Sequence, residues 1–119
     1  MILNVPFKKK YWLLSFPVKR YEDIDVIIGL ASLEKTCKQL GVKLKDVGTF
    51  LSDKNYDFIT LFLFSCYVQA CQERYQRPKY TEAHARYWVE NISVTEMKKF
   101  TDEVNIFFGE MMETVEKKK

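Results

Sequence analysis

Histidine is almost absent from this sequence: His84 is the only one. A lone imidazole has no second with which to build a histidine metal site. No serine or cysteine stands near it to make a nucleophile–base pair, so His84 reads as a helix-surface or half-buried side chain. Cysteine is sparse too. Cys37, Cys66 and Cys71 are odd in number and no pair has C-x-x-C spacing, which favours buried free thiols in a reducing cytoplasm over a disulfide or a zinc site. The four glycines (Gly29, Gly41, Gly48 and Gly109) are isolated, and no phosphate-cradling G-x-G-x-x-G or G-x-x-x-x-G-K loop can be assembled from them. Asp23 and Asp25, expected on different faces of a helix, do not form a carboxylate dyad. Glu110 and Glu113 share a face and read as a solvated flank. The sequence therefore offers no catalytic, metal-ligating or cofactor-binding constellation.

Long hydrophobic runs are also missing. The most apolar stretch, Phe58 to Cys71, contains Thr60, Ser65 and Gln69 and is shorter than the roughly 20 residues that span a bilayer. It fits a buried core helix, so no membrane association is expected. The start, Met1 to Pro6, has no charged region leading into an apolar stretch, so no signal peptide is expected. Nor is there a large charge of one sign. The net charge is +3, with acidic residues spread among the basic ones. The lysine clusters Lys8–Lys10 and Lys117–Lys119 are each three residues long, too short for a basic stripe that would call for nucleic acid. Tyr11 and Trp12 beside Lys8–Lys10 read as an aromatic strand with a solvated flank.

What is present is a globular composition. Hydrophobic residues make up 47% and aromatics 15% of 119 residues, which is too apolar for disorder and suits one domain with an aromatic-rich core. Residues 1–16 read as a strand-like arm or short hairpin, with Pro6 dividing Ile2–Val5 from Lys10–Phe16 and Pro17 closing the section. Residues 21–116 read as a helical body, mainly α, of four to five helices. The first is expected from Tyr21 to Leu40, on the stripe Val26, Leu30, Leu33, Cys37 and Leu40, with Glu22, Asp23 and Asp25 in its early turns and Gly41 as its stop. A short piece follows from Leu44 to Leu51. The turn Ser52–Asn55 then caps a central helix from Tyr56 to Tyr75, apolar nearly all round and ended by Pro78. Thr81 is expected to cap a helix from Glu82 to about Glu90, with Tyr87 and Trp88 on its buried side. Ser93 or Thr95 caps the last helix.

That last helix carries the most regular amphipathic stripe: Met97, Phe100, Val104, Phe107, Met111 and Val115, broadened by Phe108. Such a stripe completes a core, and methionine-rich apolar faces also bind partner helices. Met97, Phe100, Val104, Phe107, Phe108 and Met111 are the candidate partner-binding residues. The surplus of apolar stripe also predicts homo-oligomers.

From about Asp25 to Met112 the chain resembles the tail assembly chaperones of long-tailed bacteriophages and prophages. The stretches that carry the likeness are GLASLEK (29–35), CKQLGVKL (37–44), DFITLFLFSCYVQAC (57–71) and PKYT (78–81). The N-terminal sixteen residues depart from the family's short asparagine-glycine-lysine hairpin. The resemblance implies a non-enzymatic role in the bacterial host cytoplasm. Its partners would be the long helical tape measure protein, which such chaperones keep soluble, and possibly the tail-tube subunits that polymerise around it. The family often makes a longer frameshifted product, and Lys117–Lys119 is compatible with an A-rich slippery stretch. The alternative is a small helical regulatory nucleic-acid-binding protein.

Overall fold

A computed structural model of the chain describes residues 1–10, 17–52 and 55–117, with side chains described over 1–7, 21–49 and 55–111. Among these residues the chain is mainly helical, with a two-stranded antiparallel hairpin before five α-helices. Strand β1 (Ile2–Lys10) pairs with β2 (Pro17–Asp25), Ile2 opposite Asp25 and Lys10 opposite Pro17. The expected strand pieces Lys10–Phe16 and the aromatics Tyr11 and Trp12 lie almost wholly outside the described residues, as do Asp53 and Lys54 of the expected turn.

Two expectations are corrected here. Pro6 does not divide two strands; β1 runs through it. Nor does a helix begin at Tyr21. Residues 17–25 are strand, and α1 spans Leu30–Leu40. The alternation decides the point. Ile24 and Val26 are buried while Tyr21 and Asp23 are exposed, a period of two that suits the β-branched run Ile24, Val26, Ile27, Ile28. Glu22, Asp23 and Asp25 therefore lie on β2, and the first turn of α1 holds no acidic residue. Val26 is fully buried but precedes the helix. The N–H of Ile27 donates to the carbonyl of Cys66, and Gly29 is extended before α1 starts.

The remaining boundaries follow their caps. Gly41, at φ +67°, takes the left-handed conformation that ends α1. A 3-10 turn (Leu44–Asp46) leads into α2 (Val47–Ser52). The Asn55 side chain accepts from the Phe58 N–H at 3.1 Å and starts α3 (Tyr56–Glu73). Helix α3 ends two residues before Tyr75, which adopts φ +55°. The N–H groups of Tyr75 and Gln76 return to the carbonyls of Gln72 and Cys71, a Schellman closure with tyrosine where glycine is usual. Helix α4 (Glu82–Asn91) follows Thr81. In α5 (Val94–Lys117) the Glu96 N–H donates to Ser93 Oγ, so Ser93 and not Thr95 is the cap.

Buried residues from all of these elements except the 3-10 turn form one cluster. Phe58, Phe62, Leu63 and Cys66 of α3 lie at its centre, each no more than 1% exposed. The inner face of β1 supplies Leu3, Val5 and Phe7. An aromatic knot fastens the hairpin to the helices: the Phe7 ring lies 4.7 Å from Tyr80 and 5.8 Å from Trp88, and Tyr67 lies 5.7 Å from Trp88. The Tyr67 hydroxyl accepts from the N–H of Lys79 at 2.9 Å and of Tyr80 at 3.3 Å, pinning the α3–α4 connection. No described helix is long and apolar enough to cross a membrane.

Candidate functional site

His84, Asp23 and Asp25 are held in structural contacts. His84 is exposed, and its Nδ1 accepts from the Thr81 N–H at 3.1 Å, closing the first turn of α4. On a strand, Asp23 and Asp25 share a face, contrary to the helical expectation. They still form no dyad. Asn4 donates to Asp23, while Asp25 is held by Arg74 and the N-terminal amine. The three cysteines are free and buried. Burial raises the thiols of Cys37 and Cys66 above the ordinary range, which makes both poor nucleophiles at neutral pH. Among the described residues no three histidine, cysteine or carboxylate side chains gather into a possible metal site.

The six residues picked out on α5 do not act together. Phe100 and Val104 are core residues, 3% and 2% exposed; the Phe100 ring lies 6.1 Å from Phe62, edge to face. Neither is available to a partner. Met97, Phe107, Phe108 and Met111 are half-buried against the same core. Phe108 lies over α2, where a Cβ on Gly48 would sit 3.9 Å from its Cε1. Phe107 borders a shallow depression of about 360 Å³ with Met1, Ile28 and Ile106, rimmed by Glu103 and Glu110. Val115 and Glu113 have side chains outside those described.

Met97 stands apart, because it opens onto a larger cavity, a groove of about 600 Å³. Three helix ends build this groove. The start of α3 gives Tyr56 and Ile59, the end of α4 gives Val89 and Ile92, and the start of α5 gives Val94 and Met97. The local sequence explains the junction. Ile92 precedes the cap Ser93, and Met97 is the fourth residue of the helix; these are the positions of a hydrophobic staple that fixes how the chain enters a helix. Val94, at the first helical position, is 85% exposed, and Tyr56 is 57% exposed. Glu90, Lys98 and Asp102 stand on the rim. The lining is therefore mainly apolar, with charges of both signs and the Thr101 hydroxyl, which donates to the Met97 carbonyl. Such a site can bind an apolar face and orient it.

Sequence reasoning found one residue of this groove, Met97, and missed Tyr56, Ile59, Val89, Ile92 and Val94. The Ile92–Ser93–Met97 staple was the available signal. No family model, curated protein or solved structure matches the chain.

Proposed function

We propose that the chain is a non-enzymatic tail assembly chaperone that shields the hydrophobic helical tape measure protein until tail-tube subunits enclose it. The groove between α3, α4 and α5 takes the apolar face of a partner helix. The observation that carries this reading is the groove itself: about 600 Å³ of cavity with an apolar floor, an exposed Val94 and Tyr56, and a rim of Glu90, Lys98 and Asp102. A helix laid across it would bury residues at three- and four-residue spacing while its polar face met the charged rim. Met97 gives the floor a side chain that adapts to different partners, as a shield repeated along a long filament requires. Weak contacts repeated in that way gain from multivalency. The resemblance over residues 25–112 supplies the identity of the partner.

Co-expression with a helical fragment of the tape measure protein from the same genome tests the reading. The fragment is expected to stay soluble with the wild-type chain and to precipitate with Val94→Asp. Equal solubility of the fragment with and without the wild-type chain refutes it.

A second reading has its own observation. Tyr75 is 99% exposed at a positive φ and is flanked by Arg74, Arg77 and Lys79. An exposed ring among cations could stack on a base, which suits the small nucleic-acid-binding alternative. Salt-sensitive binding of single-stranded DNA or RNA that is lost in Tyr75→Ala would favour it.

A further inference from the structure

The two edges of the hairpin are finished differently. Between Met1 and Val26 two bonds are exchanged: the Val26 N–H donates to the Met1 carbonyl at 3.0 Å, and the Met1 amino group donates to the Val26 carbonyl at 2.9 Å. This pair sets the phase of the ladder. Antiparallel pairs alternate between those that exchange both bonds and those whose backbone groups point outward. In the observed register Ile2↔Asp25, Asn4↔Asp23, Pro6↔Tyr21 and Lys8↔Lys19 are therefore the outward-pointing pairs.

The outer edge of β1 is closed. Lys99 Nζ donates to the Ile2 carbonyl at 2.6 Å, Glu96 Oε2 accepts from the Asn4 N–H at 3.0 Å, and Pro6 has no N–H to offer. These are devices that stop a strand edge from recruiting another. The outer edge of β2 has none of them over Tyr21–Asp23. The outward N–H and C=O groups of Tyr21 and Asp23 meet no partner among the described residues, and both residues are exposed.

The open edge has a self-complementary order of charges: Lys19-Arg20-Tyr21-Glu22-Asp23. Reversed and laid beside itself, the segment sets Tyr21 opposite its own copy, Arg20 opposite Glu22 and Lys19 opposite Asp23. The hydrogen-bond phase agrees. Lys19, Tyr21 and Asp23 are the positions whose backbone groups point outward, so the register that pairs opposite charges also joins donors to acceptors. A one-residue slip would lose the hydrogen-bond phase and keep only one of the two charge pairings, Lys19 with Glu22 or Arg20 with Asp23. Pro17 falls opposite Asp25, at the end of the ladder, where its missing N–H forfeits one terminal bond.

We propose that a second copy of this chain docks on the β2 edge, joining two hairpins into a four-stranded antiparallel sheet across a two-fold axis at Tyr21. This is an isologous contact, closed at two copies. A strand-edge interface is small, so the dimer is reversible, with micromolar or weaker affinity. The proposal does not depend on the tape measure reading.

Sedimentation equilibrium of the full chain from micromolar to near-millimolar concentration tests it. The wild-type mass is expected to rise with concentration from 14.2 kDa toward twice that value. Besides the half-exposed tyrosine ring, Tyr21→Pro removes an outward N–H and no hairpin bond, as Pro6 does opposite, so a folded monomer with an unchanged far-UV circular dichroism spectrum is expected. Asp23→Lys turns two attractive cross-strand pairs into repulsive ones and is expected to raise the dissociation constant about tenfold. Adding Lys19→Asp to it is expected to restore dimerisation. A wild-type chain that stays monomeric overturns the proposal and leaves the edge to a strand of another protein. A dimer unchanged in folded Tyr21→Pro, or weakened by Asp23→Lys without rescue, also overturns it.

Discussion

Val94→Asp should separate binding from folding, because the structure places that side chain in the groove and almost outside the core. Fully burying a valine contributes about 1.5–3 kcal/mol. At 85% exposure only about a seventh of that is realised in the free chain, roughly 0.2–0.4 kcal/mol. An aspartate in the first turn of α5 regains about 0.3–1 kcal/mol from the helix dipole. The fold should therefore change by less than about 0.5 kcal/mol. In the complex the same substitution forfeits the unrealised burial and buries a carboxylate against an apolar face. Together these cost about 2 kcal/mol or more, about thirtyfold in dissociation constant. Phe100→Ala is the contrasting variant: at 3% exposure it should lose about 3–5 kcal/mol of stability. Urea unfolding followed by circular dichroism measures the stability, and fluorescence anisotropy with a labelled tape measure segment measures the binding. Val94→Asp that binds as tightly as wild type, or that unfolds as readily as Phe100→Ala, refutes this assignment.

Tyr75→Gly should stabilise the chain by about 0.5–1 kcal/mol, since the left-handed position closing α3 costs a tyrosine and suits glycine; an unchanged or lower urea midpoint would count against the strain. Thr60→Val should also stabilise, by about 1 kcal/mol, because the buried Thr60 hydroxyl has no hydrogen-bond partner among the described residues; a lower thermal midpoint would mean that the hydroxyl is satisfied. The three thiols should react with Ellman's reagent only slowly until urea is added, and fast labelling of the native chain at pH 8 would contradict their burial. Burial raises the Cys37 and Cys66 thiols above 9.0, so above about pH 9 the unfolded chain sheds protons that the folded chain keeps. That contribution to stability is full below pH 9 and is lost as pH rises further; stability rising between pH 9 and 10 would contradict it.

Most of the fold is written in local signals. The cap residues Asn55, Thr81 and Ser93, the stop at Gly41, and the all-round apolar character of α3 each place a boundary within a few residues of sequence. The start of α1 was misread because Val26, Leu30, Leu33 and Cys37 fall at steps of four, three and four by coincidence. Val26 belongs instead to the alternation of β2, and its partner Met1, which makes that alternation visible, is 25 residues upstream. Pro6 was misread for a similar reason: whether a proline breaks a strand depends on which way its missing N–H points, and the pairing phase sets that. The groove was nearly invisible because three helix ends contribute about two residues each, so no single periodicity marks it. The stripe on α5 was legible as apolar, but Phe100 and Val104 can be told from Met97 only once α3 is packed beside them.

The most direct test is a methyl-labelled NMR titration of the wild-type chain with an amphipathic helical segment of the tape measure protein. Saturable shifts are predicted at the methyl groups of Ile59, Val89, Ile92, Val94 and Met97, with Leu3, Val5 and Leu63 unmoved. No shift at saturating segment, or shifts that leave these five residues untouched, would contradict the proposal that this groove shields a partner helix.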